Sequence, residues 1–419
     1  MPAIDVWDIS EYQEGQPFRP LLWLQENDPV HWHHEYEPDG PGFFAITRYE
    51  DVKRILTDFA TFSSQPSSLV SDKNQHGPAD GLHKTVLFED PPSHTSHRKF
   101  LGQELTPQAV KRFQAQVETV VNEIIDGVAE RGQCDLVSDV AGPLASYVTA
   151  DLLGLPRQLL IDIYDIIDRI NNSADLTSGQ GGQAMADMGA VAGELFEAAH
   201  RDQADTLVAR LARGADDGAG RPVDPIQFTM DFILFSDAGS DTTRNVVGSG
   251  MRTLFAQPAA RAQLQGDISL IPGAVEEILR TTPPIVYMRR TATQDTEIRG
   301  QEIAKGQKVC VFLAAANYDH RVFPDPMVFD VTRSPNPHFG FGAGRHLCLG
   351  SHLARQELRI MFRQLLTRLP DMEEAGPVLY LRDDPIIPPN LVGPRTLPVR
   401  FTPTSKLADG RQPAPSMAG

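Results

Sequence analysis

The stretch His338-Phe339-Gly340-Phe341-Gly342-Ala343-Gly344-Arg345-His346-Leu347-Cys348-Leu349-Gly350 decides how this chain is read. Four glycines surround a single cysteine, and a strongly helical run follows directly. Glycine permits turns with positive φ and lets a backbone approach a bound group closely. A cysteine in such a loop, at a helix N-terminus, can keep a thiolate, because the helix dipole and free N–H groups favour the anion. N–H groups aimed at a sulfur are also how a protein tunes a metal thiolate.

Four readings of this loop compete. A phosphate loop needs a preceding Val/Ile strand, whereas this one is led in by Pro335-Asn336-Pro337. A zinc site built from Cys348 with His338, His346 or His352 has no second cysteine pair at the usual spacing. A structural buried cysteine does not need this density of glycine. The fourth reading is a single thiolate that ligates a haem iron. The other cysteines, Cys134 and Cys310, sit beside apolar neighbours and read as small core residues. Three scattered cysteines make no disulfide framework and fit a reducing compartment.

Composition bounds the rest. In 419 residues there are 38 Lys+Arg against 55 Asp+Glu, a formal net charge of −17, with 41% hydrophobic and 22% charged residues. This is globular composition. An acidic surface repels nucleic acid, so no nucleic-acid partner is expected. The longest apolar run, Val309 to Ala316, is far short of the ~20 residues of a membrane span. The N-terminus has neither a basic region nor an apolar run, so no signal peptide is expected. A soluble, cytoplasmic protein is the expectation.

Along the chain, Phe43–Thr47 reads as a strand and Tyr49–Leu56 as a short helix. Ser63–Lys84 is a long polar loop, functional or disordered. Period-3.6 patterns run from about Thr106 to Leu211, for example Val117, Val120, Val121, Ile124, Ile125 and Val128. They predict helices at Leu144–Leu153, Leu159–Ile170 and Ala184–Leu211, with a Gly-rich break at Ser173–Gly182. After a turn at 214–225, a long helix over Ile226–Ala256 is predicted, on the order of 45 Å at ~1.5 Å per residue. Beyond Arg280 come strands (Thr291–Ile303, Lys308–Leu313), a Pro-rich meander (Val322–Pro337), a helix (Leu349–Leu369) and short strands around the turn Ile386–Pro389. Residues from about Pro403 have little to bury and are expected to be disordered. The fold class is mainly α with a minor β part, one large helical unit over 1–402 with a tail at 403–419.

The ten positions Phe341-x-x-Gly344-x-His346-x-Cys348-x-Gly350 resemble the haem-binding signature of the cytochrome P-450 family, the haem-thiolate monooxygenases. Further motifs follow in the family's order. Glu277-Ile278-Leu279-Arg280 resembles its Glu-x-x-Arg, with both side chains on one helical face, and Arg333 holds the place of its meander arginine. Ala238-Gly239-Ser240-Asp241-Thr242-Thr243, in the middle of the long helix, resembles its oxygen-binding motif. Here Asp stands in the acid position, where the family also uses Glu. So many poor helix formers in a row break local propensity, as functional sites do. Asp90-Pro91-Pro92-Ser93-His94-Thr95-Ser96-His97-Arg98 resembles the segment whose His and Arg contact the haem propionates.

The resemblance covers about residues 15 to 402 and implies the following. The cofactor is heme b, iron protoporphyrin IX, with Cys348 as the metal ligand. His94, Arg98, Arg290 and His346 hold the propionates, while Phe341, Gly350 and Ala238 border the cofactor. Thr242 and Asp241 are catalytic, through proton delivery past a local opening of the helix. Electrons come from a ferredoxin or flavodoxin-type donor with its reductase, docking where Arg98, Lys99, Arg345, Arg355 and Arg359 cluster. The pocket draws on the 63–90 loop, the region 173–190, Leu234, Ala238, Thr242, Ile285–Met288 and Ile386-Ile387. These segments are mostly apolar, so an apolar small-molecule substrate is expected. The lead-in Asn336-Pro337-His338 resembles bacterial members acting on sterols or branched-chain lipids, with secondary-metabolite or terpenoid hydroxylation as the alternative. A peroxide-using or non-catalytic haem protein is a further alternative, against which the acid–alcohol pair Asp241–Thr242 argues.

Overall fold

The computed structural model describes residues 4–35, 40–70, 83–171, 173, 176, 179–214, 223–380 and 390–407. The helices in chain order are α1 (Phe18–Asn27), α2 (Tyr49–Thr57), α3 (Ser93–Leu101), α4 (Pro107–Ala129), α5 (Gly142–Leu153), α6 (Arg157–Asn171), α7 (Gly179–Arg201), α8 (Leu207–Ala212), α9 (Pro225–Ala256), α10 (Pro258–Gly266), α11 (Ile271–Thr281), α12 (Leu313–Asn317) and α13 (Ser351–Arg368). The strands are β1 (Val30–His33), β2 (Phe43–Ile46), β3 (Phe62–Ser63), β4 (Gln133–Asp135), β5 (Tyr287–Ala292), β6 (Thr296–Ile298), β7 (Gln301–Ile303), β8 (Lys308–Phe312), β9 (Glu373–Glu374) and β10 (Pro398–Arg400). The architecture is mainly α with small sheets, as the sequence predicts.

The long helices start where side chains satisfy their first N–H groups. Asp224 accepts from the Ile226 and Gln227 N–H groups ahead of α9, and Thr106 accepts from Ala109 ahead of α4, each followed by a first-turn proline. The apolar stripe of α4, from Val117 to Val128, is buried in a core shared with α5, α6, α9, α11 and α13. A five-stranded sheet in the order β1-β2-β8-β5-β3 forms the other part, with β2 and β8 parallel and the remaining pairs antiparallel. Strand β8 is buried along its whole length, which explains its unbroken apolar run and makes Cys310 a core residue.

Several boundaries differ from the expectation. The helix predicted from Ala184 begins at Gly179, inside the Gly-rich segment. It does not continue to Leu211, because it ends at Arg201 and Thr206 caps a separate α8 through the Ala209 N–H. Helix α9 is α-helical throughout, with no opening at its central motif: the Thr242 hydroxyl donates back to the Ala238 carbonyl at 2.9 Å within an intact helix. The segment expected to be loose from Pro403 is tied at its start, where the Thr404 N–H donates to Ala129 O (2.9 Å) and the Leu407 N–H to Asp126 (3.1 Å). Residues 71–82, 215–222, 381–389 and 408–419, and most of 172–178, on which other expectations fall, lie outside the described residues.

One buried carboxylate ties the helical part to the meander. Glu277 and Arg280 on α11 are both fully buried. Glu277 Oε1 accepts from Arg280 (2.7 Å), from Arg333 (3.2 Å) and from the Asp330 N–H (3.0 Å), while Oε2 accepts from Arg280 (2.8 Å) and Asn336 (3.0 Å). Arg280 also donates to the carbonyls of Asn317 and Pro326 and lies over the rings of Tyr318 and Phe323. Burial would raise the Glu277 pKa, but Arg280, the Asp330 N–H and Arg333 hold it below the usual value. Removing the carboxylate strands two cations in the interior. Glu277→Ala is therefore expected to cost ~3–5 kcal/mol in chemical denaturation. A loss below about 1 kcal/mol, the range of a surface pair, would contradict this account.

Candidate functional site

The glycines of the cysteine loop are set by contacts. Gly342 and Gly344 have φ of 68° and 69°, and a Cβ on Gly344 would sit 2.2 Å from Leu56 O. The loop closes on itself through the Cys348 N–H, which donates to Phe341 O at 2.9 Å. Phe341 is held from behind by Arg355, whose guanidinium lies 4.4 Å from the ring centroid and is paired with Glu276 at 2.8 Å. Arg98 donates to the Leu347 carbonyl, one residue before the cysteine. Cys348 itself is a free, exposed thiol just ahead of α13. The surrounding protein pushes its pKa up, while the Gly350 N–H, Arg98 and Arg355 pull it the other way. Three donors or cations are thus already arranged to receive a thiolate.

Beside this loop the structure gathers the four predicted bases. His94 and Arg98 lie on α3, Arg290 on β5 and His346 in the loop. The rings of His94 and His346 are 4.1 Å apart. His346 Nε2 donates to Glu89 O at 3.1 Å and lies 2.9 Å from Ser64 Oγ. Burial and Arg98 push the His94 pKa down to about 4, and burial with Arg290 and His94 takes His346 down to about 3. Arg290, also buried, is depressed to about 10 by desolvation. Desolvation is the main cause at all three, and the neighbouring bases add to it at His94 and His346, so a negatively charged group would suit this pocket. His94 supplies the test of fit, being 2% exposed with neither ring nitrogen hydrogen-bonded. Buried polar atoms without partners are rare. Four convergent bases, two of their nitrogens unpartnered, fit a group bearing two carboxylates, as haem does. Among the described residues no cluster of three or more His, Cys, Asp or Glu is assembled for a bare metal ion.

The third group lies on α9. Ala238, Asp241 and Thr242 keep surface in the middle of this otherwise buried helix. Asp241 pairs with Arg244 at 3.0 Å, and burial raises its pKa against that cation. Helix α9 packs on α13, since a Cβ on Gly250 would meet Phe362 at 2.6 Å and Thr243 hydrogen-bonds Glu357.

Two buried titratable groups were not found from sequence. Glu357 sits on the apolar stripe of α13 between Leu353 and Ile360, and burial raises its pKa to about 8. A charge on a core-facing stripe was the available signal. His97 is fully buried between Glu89 Oε1 and Asp231 Oδ1, each at 3.0 Å. It links α3 to α9 and holds the residue whose carbonyl receives His346.

Comparison with known proteins gives consistent results. The profile of the cytochrome P-450 family matches residues 193–370. A steroid C26-monooxygenase of Mycobacterium tuberculosis is 32% identical over 412 residues, covering 97% of this chain and 99% of that protein. A methyl-branched lipid omega-hydroxylase of the same organism is 35% identical over 343 residues, 80% of this chain and 79% of its own length. A cytochrome P-450 of Mycobacterium marinum solved in complex with pseudoionone superposes with a TM-score of 0.81 at 32% identity, covering 91% of this chain and 94% of that one.

The His97 clamp carries a pH signature. Burial alone would lower its pKa, but the hydrogen bonds and charges of Asp231 and Glu89 raise it to about 9. The unfolded value is ~6.5. A raised folded pKa gives stability that is full below the unfolded value and is lost as the pH climbs through the folded one. The unfolding free energy is therefore expected to fall between about pH 6.5 and about 9 by at most ~1.4 kcal/mol per pH unit for one proton, the thermal midpoint falling with it, and His97→Gln is expected to flatten that decline. An identical slope in His97→Gln would refute the clamp.

Proposed function

The chain belongs to the cytochrome P-450 family and is a monooxygenase, and on that premise we propose that it hydroxylates a largely apolar small molecule of the sterol or branched-chain lipid type. The observation that carries the cofactor assignment is the pocket of convergent bases, with both nitrogens of His94 unpartnered, beside a single thiol. Cys348 would ligate the iron of heme b, and His94, Arg98, Arg290 and His346 would hold its propionates by charge-assisted hydrogen bonds. Phe341, Gly350 and Ala238 would border its faces. The haem supplies the reductive activation of dioxygen. The substrate class follows the two mycobacterial relatives, a steroid C26-monooxygenase and a methyl-branched lipid omega-hydroxylase. Residues 1–402 act as one catalytic unit in this reading.

The chain's own residues hold substrate and meter protons. Thr242 keeps its hydroxyl proton on Ala238 O, and its oxygen stands on the open face of α9. Asp241, whose pKa burial raises, can take a proton from solvent and pass it along the helix. The electron donor is a ferredoxin or flavodoxin-type protein with its reductase. A groove of about 390 Å³ lined by Lys111, His352, Arg359 and Arg363, with Val110 and Ile271 among its apolar walls, offers an acidic partner both charge and contact area. Among the described residues no helix is long and apolar enough to cross a membrane, and the cytoplasm is the proposed location.

Thr242→Val keeps the side chain's shape and removes its proton. A positioned proton donor typically contributes ~10²–10⁴-fold. Product formed per reducing equivalent is expected to fall at least about tenfold, with hydrogen peroxide released instead and substrate affinity within about twofold of wild type. Full coupling in Thr242→Val, or lost affinity with coupling intact, would overturn the assignment.

A further inference from the structure

The open face of α9 carries an acid that the proton path does not use. Between Phe232 and Thr243 the residues that keep surface are Leu234, Asp237, Ala238, Asp241 and Thr242, with Gly239 at the edge. The first five stand at i, i+3, i+4, i+7 and i+8, which is one stripe of an α-helix. Asp237 therefore shares the face of Ala238 and Thr242.

Its neighbours show what it has and what it does not. Asp241 is paired with Arg244 at 3.0 Å, and Asp168 of α6 meets Arg395 at 3.4 Å. Among the described residues Asp237 receives an amide: Asn171 of α6 donates to its Oδ1 at 2.8 Å. Tyr164, Asp168 and Asn171 are spaced i, i+4, i+7, so one face of α6 meets this part of α9. Among the described residues no Lys, Arg or His pairs with Asp237. No described residue donates a hydrogen bond to its Oδ2, and the residue keeps part of its surface. Desolvation raises the pKa of this group, and only the Asn171 hydrogen bond opposes it. An acid without a cation in a desolvated wall is costly unless a ligand completes it.

We propose that Asp237 is a specificity-determining residue of the substrate pocket: its Oδ2 accepts a hydrogen bond from a hydroxyl group on an otherwise apolar substrate, and Asn171 fixes the carboxyl for that contact. The proposal rests on the monooxygenase reading, which makes the open face of α9 the pocket wall. A hydroxyl fits better than an ammonium, because an ammonium can only donate and needs the acid ionised, which desolvation disfavours. It also satisfies the acid in either protonation state, donating to the carboxylate or accepting from the carboxyl. The pocket expected from sequence is mostly apolar, and Asp237 would add one polar contact to it.

The test uses the haem-loaded enzyme and two isomeric probes. Decan-1-ol has a donor, and methyl nonyl ether has the same atoms with none. Their dissociation constants are read by equilibrium dialysis and by the ferric spin-state titration. The alcohol is expected to bind at least about tenfold more tightly, the worth of one hydrogen bond to an ionised or desolvated acid. Asp237→Leu is expected to bring the two within about twofold. Asn171→Ala, which leaves the acid in place but unoriented, is expected to narrow the gap and serves if Asp237→Leu does not load haem. Equal binding of the two isomers by wild type, or an undiminished preference in the variants, would overturn the proposal. The carbon monoxide spectrum of the reduced wild type keeps the two failures apart. If it is thiolate-type while the isomers bind alike, this inference falls and the monooxygenase reading stands.

Discussion

The structure depends on a carboxylate that cannot be left unpaired. Glu277 is inaccessible to water and gathers Arg280, Arg333, Asn336 and the Asp330 N–H around two oxygens. Arg280 lies on α11 itself and Asp330, Arg333 and Asn336 lie on the meander, so the charge fixes α11 against that segment. The same fixing extends to the cysteine loop: Arg280 bonds to the Asn317 carbonyl, and the Asn317 side chain in turn receives the Phe339 N–H at 2.7 Å. The loop that presents Cys348 thus begins at an atom held, through two bonds, by the buried ion network. A buried ion pair is weak grounds for claiming stability, since packed apolar groups often do as well. Its use here is positional, because it sets where a non-repetitive segment ends.

From that anchor the electrostatics of the site follow. A thiol whose surroundings raise its pKa resists ionisation unless donors and cations wait for the anion, and the Gly350 N–H, Arg98 and Arg355 provide them. Opposite in sign, the pocket of His94, Arg98, Arg290 and His346 is held in a state that depresses its own bases, with both nitrogens of one imidazole unpartnered. Arg98 belongs to both groups, reaching the Leu347 carbonyl while its charge acts on the sulfur. A cofactor with one soft metal and two carboxylates answers both demands at once.

What could be read from the sequence was local. The cysteine loop, Glu277 with Arg280, His94 with Arg98, and the Ala238–Thr243 run each sit within about two helical turns, so their spacing alone carries the geometry. What could not be read is pairing across the chain where no family motif marks it. His97 meets Asp231 across 134 residues and Asn171 meets Asp237 across 66, and no periodicity announces either. The helix opening expected at the central motif is absent: α9 is helical throughout, with the Thr242 hydroxyl as a second donor on the Ala238 carbonyl. The break after Arg201 was missed because a good apolar period masked the capping threonine at 206.

The central claim is that Cys348 ligates the iron of a bound haem as a thiolate. The most direct measurement is the absorption spectrum of the reduced, carbon monoxide-bound wild-type protein. The account predicts the strongly red-shifted Soret band of carbon monoxide bound opposite a thiolate, on protein carrying one haem per chain. A Soret band at the shorter wavelength given by histidine or neutral-thiol ligation in freshly prepared protein, or a chain that takes up no haem, would contradict it.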